Sequence, residues 1–245
     1  MSAEARLMMR AINPPLCFVM LALCACRQPV EPAGAKIDWT AENSIVAYGT
    51  SLTAGIIEPD SSYPAFLGEK LLIEVVNRGR IGATSAWGVA HIDTVYITKP
   101  VLVLLEFGAN DFLQQIDIDT AAKNIAWIIE QIQAYGAEVA LLNFAHPDMI
   151  DSTNLHWVFQ DLVPNIGADP QPTMISIGFA YDAMIDSLAV AYDLQIEDYL
   201  YEGIAWNAAY LTAAWLHPNA AGNRLMAGNV LDAFKETFEQ SDMVK

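Results

Sequence analysis

The heptapeptide Gly49-Thr50-Ser51-Leu52-Thr53-Ala54-Gly55 follows directly on the apolar run Ser44 to Tyr48 and precedes a segment of helical period. A serine in a glycine-flanked turn between a strand and a helix has an exposed hydroxyl near unpaired backbone amides, the setting of a serine nucleophile. The same position suits a serine that only caps a helix. Three more polar blocks follow later apolar segments: Asn77-Arg78-Gly79-Arg80-Ile81-Gly82-Ala83-Thr84-Ser85, Gly108-Ala109-Asn110-Asp111, and His217-Pro218-Asn219-Ala220-Ala221-Gly222. Gly82 lets the backbone approach a ligand closely, and His217 stands just ahead of the last helical segment. Four such blocks in this order point to one site, where a single Gly-x-Ser-Leu match would not.

The elements that must position these residues are read from periodicity. Strand-length apolar runs cover Ser44 to Tyr48, Ile73 to Asn77, Val101 to Phe107, Glu138 to Asn143 and Gln195 to Asp198. Helical spacing covers Ser62 to Leu71, Ala83 to Tyr96, Thr120 to Tyr135, Ile177 to Tyr192 and Ala220 to Phe238. Alternation of this kind predicts an α/β fold, a three-layer α/β/α sandwich on a parallel sheet of five strands. In such sheets the ligand site lies outside the carboxyl ends of the strands, where all four blocks fall. The proline-rich stretch Ala145 to Met174 reads as a surface loop.

Residues 1–25 carry Arg6 and Arg10 ahead of the apolar stretch Leu16 to Ala25, too short to span a membrane as a helix and laid out as a secretory signal peptide. Leu23-Cys24-Ala25 before Cys26 resembles the lipobox of bacterial lipoproteins. That resemblance makes Cys26 the lipidated mature N-terminus, residues 26–40 an anchor and tether, and 41–240 the folded domain. An unlipidated signal peptide cut near Ala25 is the plainer alternative. Cleavage before Cys26 leaves one cysteine of three, so no disulfide framework is possible. Arg27 beside it favours outer-membrane sorting facing the periplasm, by analogy with known lipoproteins. The formal charge of −17 repels phosphate backbones and anionic lipid heads, so nucleic acid is excluded as a partner and membrane attachment falls to the lipid. The four histidines are scattered, which gives no metal-ligand spacing.

Taken together, the four blocks resemble the SGNH (GDSL) hydrolases, and within them the acyl-CoA thioesterase I, lysophospholipase L1 and arylesterase branch. The similarity runs from about Ser44 to Leu231, with support from Ser62-Tyr63-Pro64, Lys99-Pro100, Val103-Leu104-Leu105-Glu106, Gly136-Ala137 and Glu202-Gly203-Ile204-Ala205. The resemblance implies a flavodoxin-like fold, Ser51 as nucleophile and His217 as general base. It also implies an oxyanion hole of the Ser51 amide, the Gly82 amide and the Asn110 side chain. Asn110 could otherwise be a turn asparagine. The expected activity is hydrolysis of carboxylic, and by extension thio, esters of short to medium acyl chains through an acyl-Ser51 intermediate, without a cofactor.

Two residues depart from the family pattern. Thr50 stands where Asp is usual, and Ala214 stands where the family has the aspartate that orients the histidine. In triad hydrolases loss of that aspartate costs on the order of 10⁴-fold in rate, or about 5 kcal/mol at the barrier. Three accounts follow: a Ser-His dyad whose Nδ1 proton goes to a main-chain carbonyl in the Ala214 to Leu216 turn, a substitute carboxylate from Asp198 or Glu202, or a silent ligand-binding lipoprotein. A carbohydrate O-acetyl esterase is a further alternative. His146 with Asp148 either lines the pocket or sits on a surface loop, and His91 and His156 read as ordinary residues. Trp87, Phe112, Trp206, Tyr210 and Trp215 form either an acyl-binding wall or core.

Overall fold

The computed structural model describes residues 44–56, 59–144, 172–212 and 217–239. The leader, the tether with Cys26, most of the proline-rich stretch, His146, Asp148, His156, Ala214 and Trp215 lie outside the described residues.

Five parallel strands, β1 (Ser44–Gly49), β2 (Val75–Gly79), β3 (Pro100–Glu106), β4 (Glu138–Leu142) and β5 (Gln195–Glu197), lie in the order β2-β1-β3-β4-β5. This is the flavodoxin-like order. Successive strand residues point to opposite faces, and both faces are apolar. Val46, Tyr48, Val103, Leu105, Val139 and Leu141 enter one core cluster, whereas Ile45, Ala47, Leu102, Leu104, Ala140 and Leu142 enter the other. Strands that are apolar on both sides need a layer of helices over each.

The elements around the site are short. After β1 comes α1 (Ser51–Ala54); α2 (Tyr63–Leu71) leads to β2, which is followed by α3 (Ser85–Ala90) and α4 (Asp93–Tyr96). After β3 come α5 (Ala109–Leu113) and α6 (Ile118–Tyr135). Ala121, Ile125, Ile128, Ile129 and Ile132 form the buried stripe of α6 against the first core. Asp117 caps its first turn by accepting from Thr120 N, and Gly136 at φ 98° ends it. Next, α7 (Pro172–Ala191) lays Tyr181, Ile185 and Leu188 on the same core. Two more helices, α8 (Ala220–Ala233) and α9 (Lys235–Glu239), cover the second core together with α2, through Met226, Val230, Phe234, Phe66 and Leu67.

Three predicted elements change. The Ala83 to Tyr96 helix breaks at His91, whose φ of −124° is not helical and whose ring stacks on Trp87 at 4.3 Å. Tyr48 Oη donates to Gly88 O at 2.6 Å within that turn. The last helix breaks at Phe234, a ring buried in the second core. Helix α7 begins at Pro172, five residues before the apolar period shows it and inside the stretch read as loop. A proline fits a first helical position, where no N–H is needed.

Candidate active site

Ser51 opens α1 immediately after β1, and each open end of that short helix is met by a side chain. Thr50 is the N-cap: its hydroxyl accepts from Leu52 N at 3.5 Å, a long bond but the role an aspartate would fill at that position. At the other end Asn77 Nδ2 donates to Thr53 O at 2.8 Å and Ala54 O at 3.3 Å. Beneath the turn lies Glu106, the last residue of β3 and 1% exposed. Its carboxylate accepts from Thr50 N at 2.9 Å, from the Thr50 hydroxyl at 2.9 Å and from the Thr53 hydroxyl at 3.0 Å.

Gly82 lies in the loop after β2 at φ +75°, a conformation that favours glycine. A side chain there would meet nothing within 4 Å, so it is the backbone angle and not crowding that calls for glycine. Arg80 N donates to Gly49 O at 3.0 Å, which ties this loop to the serine turn. On its other side Asn110 Nδ2 donates to Ala83 O at 2.8 Å. One N–H of the Asn110 amide is thereby used and one is left for a ligand. Asp111 is fully buried and accepts from Ser85 N at 2.8 Å and from the Ser85 hydroxyl, which also accepts from Asn124 Nδ2 at 3.0 Å. Among the described residues no acceptor takes the backbone N–H of Ser51 or of Gly82.

His217 arrives from 166 positions further along the chain and places Nε2 3.0 Å from Ser51 Oγ. Main-chain bonds hold it: Thr212 N donates to His217 O at 2.8 Å, Leu211 and Pro218 form an antiparallel bridge, and Asn219 N donates to Tyr210 O at 2.8 Å. Asn219 also caps α8 by accepting from Gly222 N at 3.0 Å. Burial pushes the imidazole pKa down to about 4, so the ring is neutral at neutral pH and Nε2 can accept the serine proton. Glu197 is pushed up to about 7, chiefly by burial and further by the neighbouring carboxylates of Asp198, Glu202 and Asp232. Among the described residues no carboxylate hydrogen-bonds to His217.

Residues 47–225 match the model of the GDSL-like Lipase/Acylhydrolase family. The chain belongs to that family. It is 25% identical over 202 residues to Esterase TesA of Pseudomonas aeruginosa, a match covering 80% of this chain and 89% of that one. The Thioesterase 1/protease 1/lysophospholipase L1 of Escherichia coli is 24% identical over 183 residues, 73% of this chain and 77% of the relative. A crystal structure of TesA superimposes with a TM-score of 0.64 at 24% identity, covering 80% of this chain and 99% of that one. This GDSL-like hydrolase is thus a carboxylic ester hydrolase on an α/β fold.

The structure brings Ser51 to His217, and Asn110 to the Gly82 loop, at the carboxyl ends of β1, β2 and β3. Trp87 and Phe112 pack with the first core, and Tyr210 packs partly against the second, so core packing accounts for these three aromatics. His91 is engaged with Trp87, with Nδ1 2.9 Å from Trp87 O. Sequence reasoning used Glu106 and Asp111 only as pattern residues. For Glu106 the signal was an acid at the end of a wholly apolar strand, where burial makes an idle charge costly; Asp111 follows five residues later, in α5.

Proposed function

We propose that this hydrolase cleaves small esters of short to medium acyl chains, and thioesters by the same route, with a Ser51–His217 dyad. The observation that carries the reading is the 3.0 Å contact between Ser51 Oγ and the Nε2 of a neutral imidazole. Ser51 Oγ attacks the carbonyl carbon while its proton passes to His217 Nε2. The carbonyl oxygen, now negative, takes the Ser51 and Gly82 N–H groups and the free N–H of Asn110. The tetrahedral species collapses as His217 returns the proton to the departing alcohol or thiol. Water then repeats the sequence on the acyl-serine, releasing the acid. His217 Nδ1 keeps its proton by donating to a main-chain carbonyl, which holds the tautomer without supplying a countercharge. The chain acts from the periplasmic side of an outer membrane, held by lipid on Cys26.

Hydrolysis of p-nitrophenyl acetate and butyrate tests the reading. Ser51→Ala should lower the rate at least about 10³-fold, and equal rates for the two proteins would return the silent ligand-binding alternative. For the anchor, Cys26→Ser should move the protein out of the membrane fraction, and continued retention there contradicts lipidation.

A further inference from the structure

Glu106 is an odd residue to find at the end of β3. The six strand residues before it are apolar, its side chain is 1% exposed, and no lysine or arginine among the described residues pairs with it. A buried carboxyl without a cation is costly for the fold, where an apolar residue of the same size would not be. Its partners all lie on one short segment. They are the N–H and hydroxyl of Thr50, just before Ser51, and the hydroxyl of Thr53, two residues after it. The carboxylate therefore grips the chain on both sides of the serine.

The fit is close. Gly49 pairs in register with Glu106, and a side chain at Gly49 would strike Glu106 O, Glu106 Oε2 and the Thr53 hydroxyl. Two phenols face the group from other elements: Tyr63 of α2, 3.5 Å from the Thr53 hydroxyl, and Tyr201 from the segment after β5. Burial pushes the Glu106 pKa up to about 7, while the threonine donors hold it down from a higher value.

We infer that Glu106 is a positioning residue for the nucleophile: through Thr50 and Thr53 it fixes the hydroxyl and the backbone amide of Ser51 in the geometry that attack and oxyanion binding require. This rests on the reading of Ser51 as nucleophile. Displacements of about 1 Å in a catalytic group are enough to cost 10²-fold in rate. A four-residue helix has too few internal hydrogen bonds to resist such a shift by itself.

The test uses Glu106→Gln, which keeps the shape but turns an NH₂ toward groups that donate, together with Thr50→Val and Thr50→Ser. Glu106→Gln and Thr50→Val should each lower kcat for p-nitrophenyl butyrate by about 10- to 100-fold with KM within about twofold. Thr50→Ser, which retains the hydroxyl, should stay close to wild type. The double variant should lose little more than either single one, because both remove the same contact. Hydrogen exchange should rise at the amides of residues 50–54 in the two impaired proteins and stay unchanged in β4 and α6. A folded Glu106→Gln protein with wild-type kcat, or with unchanged exchange at residues 50–54, overturns the proposal, and Thr50→Val decides it if Glu106→Gln does not fold. A wild-type chain that turns over no ester sinks the nucleophile reading and this proposal with it. An active wild type with unimpaired variants sinks this proposal alone.

Discussion

On one side of the Ser51 hydroxyl the chain is pinned by two buried carboxylates, Glu106 under the serine turn and Asp111 under the loop that carries Gly82. On the other side His217 hangs from main-chain bonds, the Leu211–Pro218 bridge and the Asn219 cap, with no carboxylate among the described residues in contact with it. The half that carries Ser51 and Gly82 thus has its carboxyl groups beneath the backbone, where they accept from the amides of Thr50 and Ser85. Among the described residues the base half is held by backbone bonds and by the amide side chains of Asn219 and Asn223. An orienting aspartate does two things, holding the tautomer and stabilising the imidazolium, and a main-chain acceptor supplies only the first. Under the proposed mechanism the contrast implies a well-set oxyanion site and a weakly supported base.

The largest effect is expected at Asp111, beneath the Gly82 loop. Asp111→Ala leaves Ser85 N and its hydroxyl buried without their acceptor, which should cost roughly 2–4 kcal/mol of stability and lower Tm by about 5–15 °C. Thermal unfolding followed by circular dichroism measures it, and a Tm within a degree of wild type would remove Asp111 from the account.

The base half is sharpened by Ala214→Asp, which restores the family's residue. Burial alone sets His217 near a pKa of about 4, so kcat/KM of the wild type should fall off on its acid side around that pH. An added anion favours the imidazolium, so the variant's acid limb should move to higher pH while its plateau rate rises about tenfold or more. The pH dependence of kcat/KM checks both, and an unmoved limb would mean that a carboxylate already serves His217. The smallest effect belongs to Asn219→Ala. Loss of the α8 cap and of its bonds to Ala209 O and Leu211 O should cost about 1 kcal/mol and read out as a modest drop in Tm. If it lowers kcat more than tenfold instead, Asn219 carries more of the histidine's placement than a cap would.

Much of the sheet was legible because strand burial is written locally. Val101-Leu102-Val103-Leu104-Leu105 can satisfy alternating side chains only with an apolar layer on each face. The helices were legible by period, except where tertiary contacts override it, as at His91 on Trp87 and Phe234 in the second core. The candidate site residues were legible as blocks at strand ends, and Thr50 serves there as the N-cap of α1.

What the sequence alone determined is the set of elements and which residues lie at their ends, since side-chain period and turn chemistry act over a few residues. The tertiary structure alone decided that His217 reaches Ser51 across 166 positions and that Glu106 lies under Thr50 across 56. Among the described residues it leaves Asp198 and Glu202 without a hydrogen bond to the histidine. Contacts of that range depend on how two faces of a sheet are packed by several helices at once, and no single segment encodes that.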